Sequence, residues 1–333
     1  MNITINKCPI PIIWMDTNVI IDITKYRQGI PLKGVQMERI PKLNDVIYQK
    51  TREHKLIYAE GDQREEINSL IKEAHSAQSF LSIGTKFKYR KMIHERQLFD
   101  SMKSYINKEN HVELNYKDAF RRDPITQLEE KRNGYLKGLI ISVHIDTSQN
   151  ELIERERLKE HIVEEFEAIR QRAIKSGTTY DEQLDREHSG LLQACHTALA
   201  NFNDKIQNGL IPTKEEFDQL AIFTSLNDMW EGLNVRGFGS VFDFLCSDDF
   251  KLIPYEDIQS RLYAKIMTSI KPIESGDSMD IQHLSTVIPY CNYVITDKKM
   301  KNRIIELGID KKYNTKVYCL SDIDEILGTL EQL

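Results

Sequence analysis

Glycine and proline are scarce in this chain of 333 residues, 15 and 9 respectively, about half of ordinary usage. So few turn-makers exclude a sandwich or barrel of many short strands and point to long helices. Positive charge is not in excess either. The 51 acidic residues outnumber 45 basic ones for a net charge of −6, which excludes a protein that coats nucleic acid through its overall field. It does not exclude a nucleic-acid enzyme whose basic residues cluster locally or whose carboxylates carry cations. The five cysteines (Cys8, Cys195, Cys246, Cys291 and Cys319) form no CxxC pair. Neither a zinc site nor a disulfide framework is indicated, and a reducing cytoplasm is the expected compartment. Long apolar runs are missing. The run nearest the start, residues 9–15, is closed by Asp16 and is too short for a signal segment or a membrane span. Internal repeats and a glycine-rich phosphate loop are absent too. Gly232, Gly237 and Gly239 follow no strand and precede no Walker-type lysine, so they mark a turn.

What is present supports a sizeable core, with 40% hydrophobic and 29% charged residues. Residues 10–15 (IPIIWM) form a short continuous apolar run of the kind a fully buried parallel strand shows. Residues 55–59 (KLIYA) form a second, followed by Ile67, Leu70, Ile71, Ala74 and Ala77 at helical spacing. The arrangement returns near the other end. Residues 292–296 and 316–320 read as strands, leading into helices over 298–307, closed by Gly308, and 321–327, closed by Gly328. Strand–helix alternation at both ends predicts one parallel α/β sheet assembled from both halves of the chain. Between them, 151–175 and 214–230 carry amphipathic helical patterns. The division expected is therefore an α/β domain of residues 1–80 and 236–333 with a mostly helical insertion at 81–235.

Ligands of an open parallel sheet bind beyond the carboxyl ends of its strands. Asp16 directly follows the first strand and Asp297 directly follows a late one. A lone aspartate in such a place usually caps the next helix. Acidic residues elsewhere strengthen a functional reading: Glu65 and Glu66 in DQREEI, and Asp277 and Asp280 in GDSMDI. Asp62 and Glu65 fit a capping box, which leaves Glu66 without a local task. Asp277 and Asp280 lie three apart on one helix start, where they either cap it or face a cation. Crowded carboxylates repel unless a cation neutralises them. Oxygen donors of this kind suit Mg²⁺ or Mn²⁺, which activate water and clamp a transferring phosphoryl group.

At these residues the chain resembles the PIN-domain nucleases, and in particular large bacterial PIN-like proteins. The likeness rests on DTN after the opening strand (Asp16, Thr17, Asn18), a glutamate early in the next helix, a DIxHL-like helix start (Asp280, Ile281, His283, Leu284) and TD after a strand (Thr296, Asp297). It covers residues 10–80 and 240–333. The resemblance implies a three-layer α/β fold on a parallel sheet, with Asp16, Glu66, Asp280 and Asp297 as catalytic metal ligands and Asp277 as an accessory acid. It also implies Mg²⁺ or Mn²⁺ as cofactor and cleavage of RNA, single-stranded RNA first, in a toxin, defence or processing role. A phosphatase of the kind that opens with an aspartate nucleophile needs a second aspartate two positions on, where Asn18 stands.

Two basic clusters accompany the carboxylates. Lys298, Lys299, Lys301 and Arg303 begin one residue after Asp297 and suit phosphate contact at a helix start. Lys86, Lys88, Arg90 and Lys91, interleaved with Phe87 and Tyr89, either stack bases or form a solvated helical face. Trp14 and Trp230 read as packing residues, and His283, on the Asp280 helix, either packs or supports a ligand from behind rather than being one. The competing expectation is a non-catalytic PIN-like scaffold that binds RNA or a protein, or self-associates, through its helical insertion. A nuclease acting on DNA is the third. No membrane partner is expected.

Overall fold

The computed structural model describes residues 1–32, 34, 36–63, 74–133 and 149–333. Its strands are β1 (Asn2–Asn6), β2 (Ile12–Met15), β3 (Ile57–Tyr58), β4 (His111–Asn115), β5 (Tyr293–Ile295) and β6 (Lys316–Tyr318). The helices in the first half are α1 (Thr17–Arg27), α2 (Gln36–Arg52), α3 (Ala74–Ser82), α4 (Arg90–Asn107), α5 (Tyr116–Ala119), α6 (Pro124–Asn133) and α7 (Gln149–Lys175). Those in the second half are α8 (Tyr180–Gln207), α9 (Lys214–Leu233), α10 (Val241–Leu245), α11 (Asp248–Lys251), α12 (Pro254–Met267), α13 (Asp277–Val287), α14 (Lys298–Glu306), α15 (Ile309–Lys312) and α16 (Ile323–Glu331). The chain forms two compact units. A helical unit takes Met1–Thr4, His94–Leu114 and Ala168–Pro272, and an α/β unit takes Ile5–Ile93, Asn115–Glu167 and Ile273–Leu333.

The α/β unit is organised by a four-stranded sheet of order β3-β2-β5-β6. All its pairings are parallel, with Ile13 opposite Tyr58, Trp14 opposite Val294, and Val294 opposite Val317. This is the single parallel sheet, drawn from both ends of the chain, that strand–helix alternation predicts. All four residues of β2 are buried, which explains its unbroken apolar character: a central strand covered on both faces has no polar side. Side chains alternate across the sheet. Ile13 and Met15 join a core with Val19 and Ile20 of α1, Ile40 and Leu43 of α2, Leu81 of α3, and Ile323 and Ile326 of α16. Trp14 faces the other way, 1% exposed, with its ring centroid 6.3 Å from that of His283 on α13. A Cβ at position 61 would overlap the Trp14 indole nitrogen, so the chain leaving β3 can pass the indole only as glycine.

Gly308 adopts φ +66° and ends the helical run of α14, as the sequence pattern predicts. Gly328 does not end its helix. It lies inside α16, because Leu327 and Leu330 continue the buried face on both sides of it. The amphipathic pattern starting at Ile67 falls partly outside the described residues, of which 74–82 are helical.

The helical unit has its own core. Leu98 and Met102 of α4, Cys195 of α8, Leu226 and Trp230 of α9, Phe244 of α10 and Phe250 pack together. Thr179 with Glu182 and Thr213 with Glu216 form capping boxes that start α8 and α9. Because α10 to α12 share this core and packing, residues 236–272 belong to the helical unit, along with 168–235 of the insertion drawn from sequence. The described part of 81–235 is mostly helical, with residues 85–88 extended and bridged to Glu60 and a strand at 111–115. His111–Asn115 alternates exposed and buried positions, the period of a strand, and pairs with β1 in a two-stranded sheet. Among the described residues no helix is long and apolar enough to cross a membrane.

At the amino edge of the large sheet, Lys7 ties two strand starts together. Its ammonium donates to the carbonyl of Cys291, before β5, to the carbonyl of Asn314 (2.8 Å) and to the hydroxyl of Thr315 (2.9 Å), both before β6. Replacing Lys7 by Met removes the three bonds and leaves the carbonyls without that donor. Unfolding in urea should show a loss of about 2–4 kcal/mol, and an unchanged midpoint would show that the tie is not structural.

In the helical unit the His188 imidazole is held below its ordinary value of 6.5 chiefly by burial, with Lys251 adding to the effect and Asp257, Glu256 and Asp185 opposing it. The fold therefore favours the neutral ring. The stability this contributes is complete above the ordinary value and is lost as pH falls through the lowered, folded one. Thermal unfolding between pH about 7 and about 5 should show a steeper decline for wild type than for His188→Gln, and parallel curves would contradict the assignment.

Candidate active site

Parallel strands bring their carboxyl ends to one edge, and this edge carries Glu60 beyond β3, Asp16 after β2, and Thr296 and Asp297 after β5. Asp16 is fixed to the neighbouring strand at both main chain and side chain. Its N–H donates to the Ile295 carbonyl (2.8 Å), and the Thr296 hydroxyl donates to its Oδ2 (3.3 Å) across 280 positions of sequence. The structure thus places Asp16 and Asp297 at the ends of adjacent strands.

The two aspartates are used differently. Asp297 is a full N-cap: its Oδ1 accepts the N–H of Lys299 (2.6 Å) and of Met300 (3.2 Å), the second and third residues of α14. Asp16, 4% exposed, accepts the N–H of Thr17, the first residue of α1 (2.6 Å), and the hydroxyl of Thr296. Both aspartates therefore cap the helix that follows them, and Asp16 is in addition held from the neighbouring strand by the Thr296 hydroxyl. Gln63 straddles Asp16 along the chain, donating from Nε2 to the Met15 carbonyl (3.3 Å) and the Thr17 hydroxyl (3.2 Å). It is 1% exposed, and its Oε1 is buried without a hydrogen-bond partner among the described residues.

Asp280 lies half-buried in the first turn of α13. It precedes His283 by three residues and so shares the helix face that His283 turns toward Trp14. Past the end of α13, Asn292 donates its N–H to Ile12 at the start of β2 (2.9 Å). The helix therefore runs against the strands, with its first turn toward the carboxyl edge. Asp277 has a structural task at both oxygens. Oδ1 accepts from Arg303 (2.8 Å) and Oδ2 from the Glu274 N–H (2.9 Å), in a pair only 6% and 11% exposed at the side chains. Glu65 and Glu66 lie outside the described residues.

Most of the basic cluster on α14 is engaged within the protein. Arg303 holds Asp277, Lys299 holds Glu274, and Lys301 holds Asp322 (2.6 Å). Burial works against ionising Asp322, yet the Lys301 ammonium and the Cys319 N–H keep its carboxyl below the ordinary value. Lys298 is exposed at the start of the helix. Three residues at this edge were not singled out from sequence as site residues: Glu60, Gln63 and Thr296. Glu60 follows an apolar strand just as Asp16 does, so the same rule could have found it. It is 4% exposed, with the Ser82 hydroxyl donating to Oε1 (2.5 Å) and Lys86 2.8 Å from Oε2.

Among the described residues no three His, Cys, Asp or Glu side chains assemble into a metal-holding group. Mg²⁺ and its analogues keep several waters and take only one or two protein carboxylates together with substrate phosphates. The side-chain groups described at Asp16 are its own carboxylate and the Thr296 hydroxyl, both oxygen. That chemistry fits a small hard cation and does not suit zinc. No protein-family model, curated protein or solved structure matches this chain.

Arg303→Met would leave the Asp277 carboxylate buried without its cation. Denaturant unfolding should show a loss of about 3–5 kcal/mol, with most of it recovered in the double variant Asp277→Asn, Arg303→Met. A single variant as stable as wild type would instead free both residues for a role at the site.

Proposed function

We propose that this protein is a metal-dependent nuclease of PIN-like, three-layer α/β type, acting in the cytoplasm as an endoribonuclease on single-stranded RNA. One observation carries the reading. Asp16 ends the central strand of a parallel sheet as a buried carboxylate that caps α1 and is also held by the Thr296 hydroxyl at the end of the adjacent strand. Asp16, Asp280 and Asp297 supply the carboxylates, with Glu66 completing the set as the resemblance implies. Mg²⁺ or Mn²⁺, when bound, supplies an acidified water and neutralises phosphate charge. The protein's own groups do the positioning. Thr296 fixes the Asp16 carboxylate, Gln63 fixes the backbone on either side of it, and Asp297 orients α14 while closing its first amides. Lys298 is left to meet phosphate, because the other three cations of that helix are committed to carboxylates. The Asp277–Arg303 pair holds the first turn of α13, and with it Asp280, against α14.

Asp16→Asn keeps the shape and removes one charge. With chelator present its thermal midpoint should match wild type or exceed it slightly, since the fold loses like-charge repulsion at the edge. With Mn²⁺ the wild type should gain stability by linkage and the variant should gain less. Cleavage of single-stranded RNA should fall by orders of magnitude. Single-stranded DNA and duplex DNA, each with Mn²⁺, Mg²⁺ or chelator, complete the assay. A variant that cuts as fast as wild type would sink the catalytic assignment, and wild type that cuts nothing would leave a binding scaffold.

A further inference from the structure

The first four residues of KFKYRK, 86–89, do not lie on a helix face, as a solvated reading would have it; only Arg90 and Lys91 enter α4. Residues 85–88 run extended and continue the parallel sheet past β3. Glu60 donates its N–H to the Thr85 carbonyl (3.0 Å) and Phe87 donates to the Glu60 carbonyl (2.9 Å). On the far side Lys88 donates to Ala119 (2.8 Å) and Arg121 donates to Lys86 (3.1 Å). Successive positions alternate as in a strand: Thr85 and Phe87 are buried, while Lys86 and Lys88 are half-buried on the other side. Phe87 stacks on Phe120 at 4.3 Å, which fixes the extension against its last neighbour.

Register ties this row to the site. Continuing the pairing of Ile13 with Tyr58 sets Glu60 beside Met15, one residue before Asp16. Lys86 bridges Glu60, and Phe120 bridges Phe87. Three strand steps therefore separate Asp16 from Arg121, roughly 14 Å at the ordinary strand spacing. Arg90 then hydrogen-bonds Gln282 on α13, two residues beyond Asp280.

At the outer end of the row the surface changes character. Tyr89 is 53% exposed, and the Arg121 guanidinium lies 4.7 Å from the centre of its ring. Arg121 is exposed, and among the described residues neither it nor Lys88 pairs with a carboxylate. These cations contrast with Lys299, Lys301 and Arg303 of α14, which are committed internally. An exposed ring and guanidinium plane beside unpaired cations provides a stacking surface for unpaired bases together with contacts for phosphates.

We propose that Lys88, Tyr89 and Arg121 form the track on which single-stranded RNA lies as it approaches the carboxyl edge. Bases stack on Tyr89 and the Arg121 plane, and phosphates meet Lys88 and Arg121. This rests on the nuclease reading but is measured apart from it, by binding of a labelled single-stranded RNA to the full chain in chelator, where nothing is cut. Tyr89→Ala should weaken binding about tenfold, while Tyr89→Phe should bind as wild type. Lys88→Gln and Arg121→Gln should each lower the slope of log affinity against log salt by about 1. Duplex RNA of the same sequence should bind more weakly, because its bases are already stacked. Thermal unfolding checks that each variant is folded. Wild-type affinity in Tyr89→Ala, equal binding of duplex, or no RNA binding at all would overturn the track. RNA bound through these residues but left uncut with Mn²⁺ would uphold the track and overturn the nuclease.

Discussion

The pairing of β2 with β5 is the constraint on which the rest of this protein depends. It joins residues 280 positions apart, and closing so long a loop is entropically costly though only weakly dependent on its length. The return comes from burying all of β2 and Val294 and Ile295 of β5. Once Trp14 stands opposite Val294 and Met15 opposite Ile295, every group at the carboxyl edge has its place. Asp16 must follow Met15, and Thr296 must follow Ile295 within reach of its carboxylate. A slip of one residue would put Trp14 into the face that Ile13 and Met15 occupy, and the indole would lose the space that Gly61 leaves for it.

Charge in this protein is divided between holding helices and meeting ligands. Asp277, Arg303, Lys301 and Asp322 pair with one another across α13, α14 and the segment before α16, in surroundings where a lone charge would be costly. Asp297 closes the first amides of α14. These residues look like candidates for chemistry in a linear sequence because structural and catalytic carboxylates share the same position after a strand. Hydrogen-bond geometry distinguishes them: Asp297 caps two amides of α14, whereas Asp16 caps one of α1 and also accepts the Thr296 hydroxyl. The same separation applies to the cations. Three of the four on α14 are tied down to carboxylates, whereas among the described residues Lys88 and Arg121, on a row that extends the sheet, are not. An acidic protein can meet a polyanion in this way, with a short local strip in place of a general positive field.

The sequence by itself marked the four strands of the large sheet and the membership of both chain ends in it, but not β1 or β4. Continuous apolar runs followed by helical periodicity admit few other arrangements. It likewise marked Asp16 and Asp297 as residues at strand ends, and Trp14 and Trp230 as packing residues. The tertiary structure decided what each charge does. Asp277 could not be told from a ligand until Arg303, 26 positions away, was seen against it. Glu60 and Gln63 gave no sign of proximity to Asp16, because strand register is not written in local periodicity. KFKYRK offered a helical pattern of charge until its backbone was seen to pair with Glu60 and Ala119. Local pattern fixes which segments are strands and which faces are buried. Which side chains meet across those segments is set by long-range register, and that is a property of the folded chain alone.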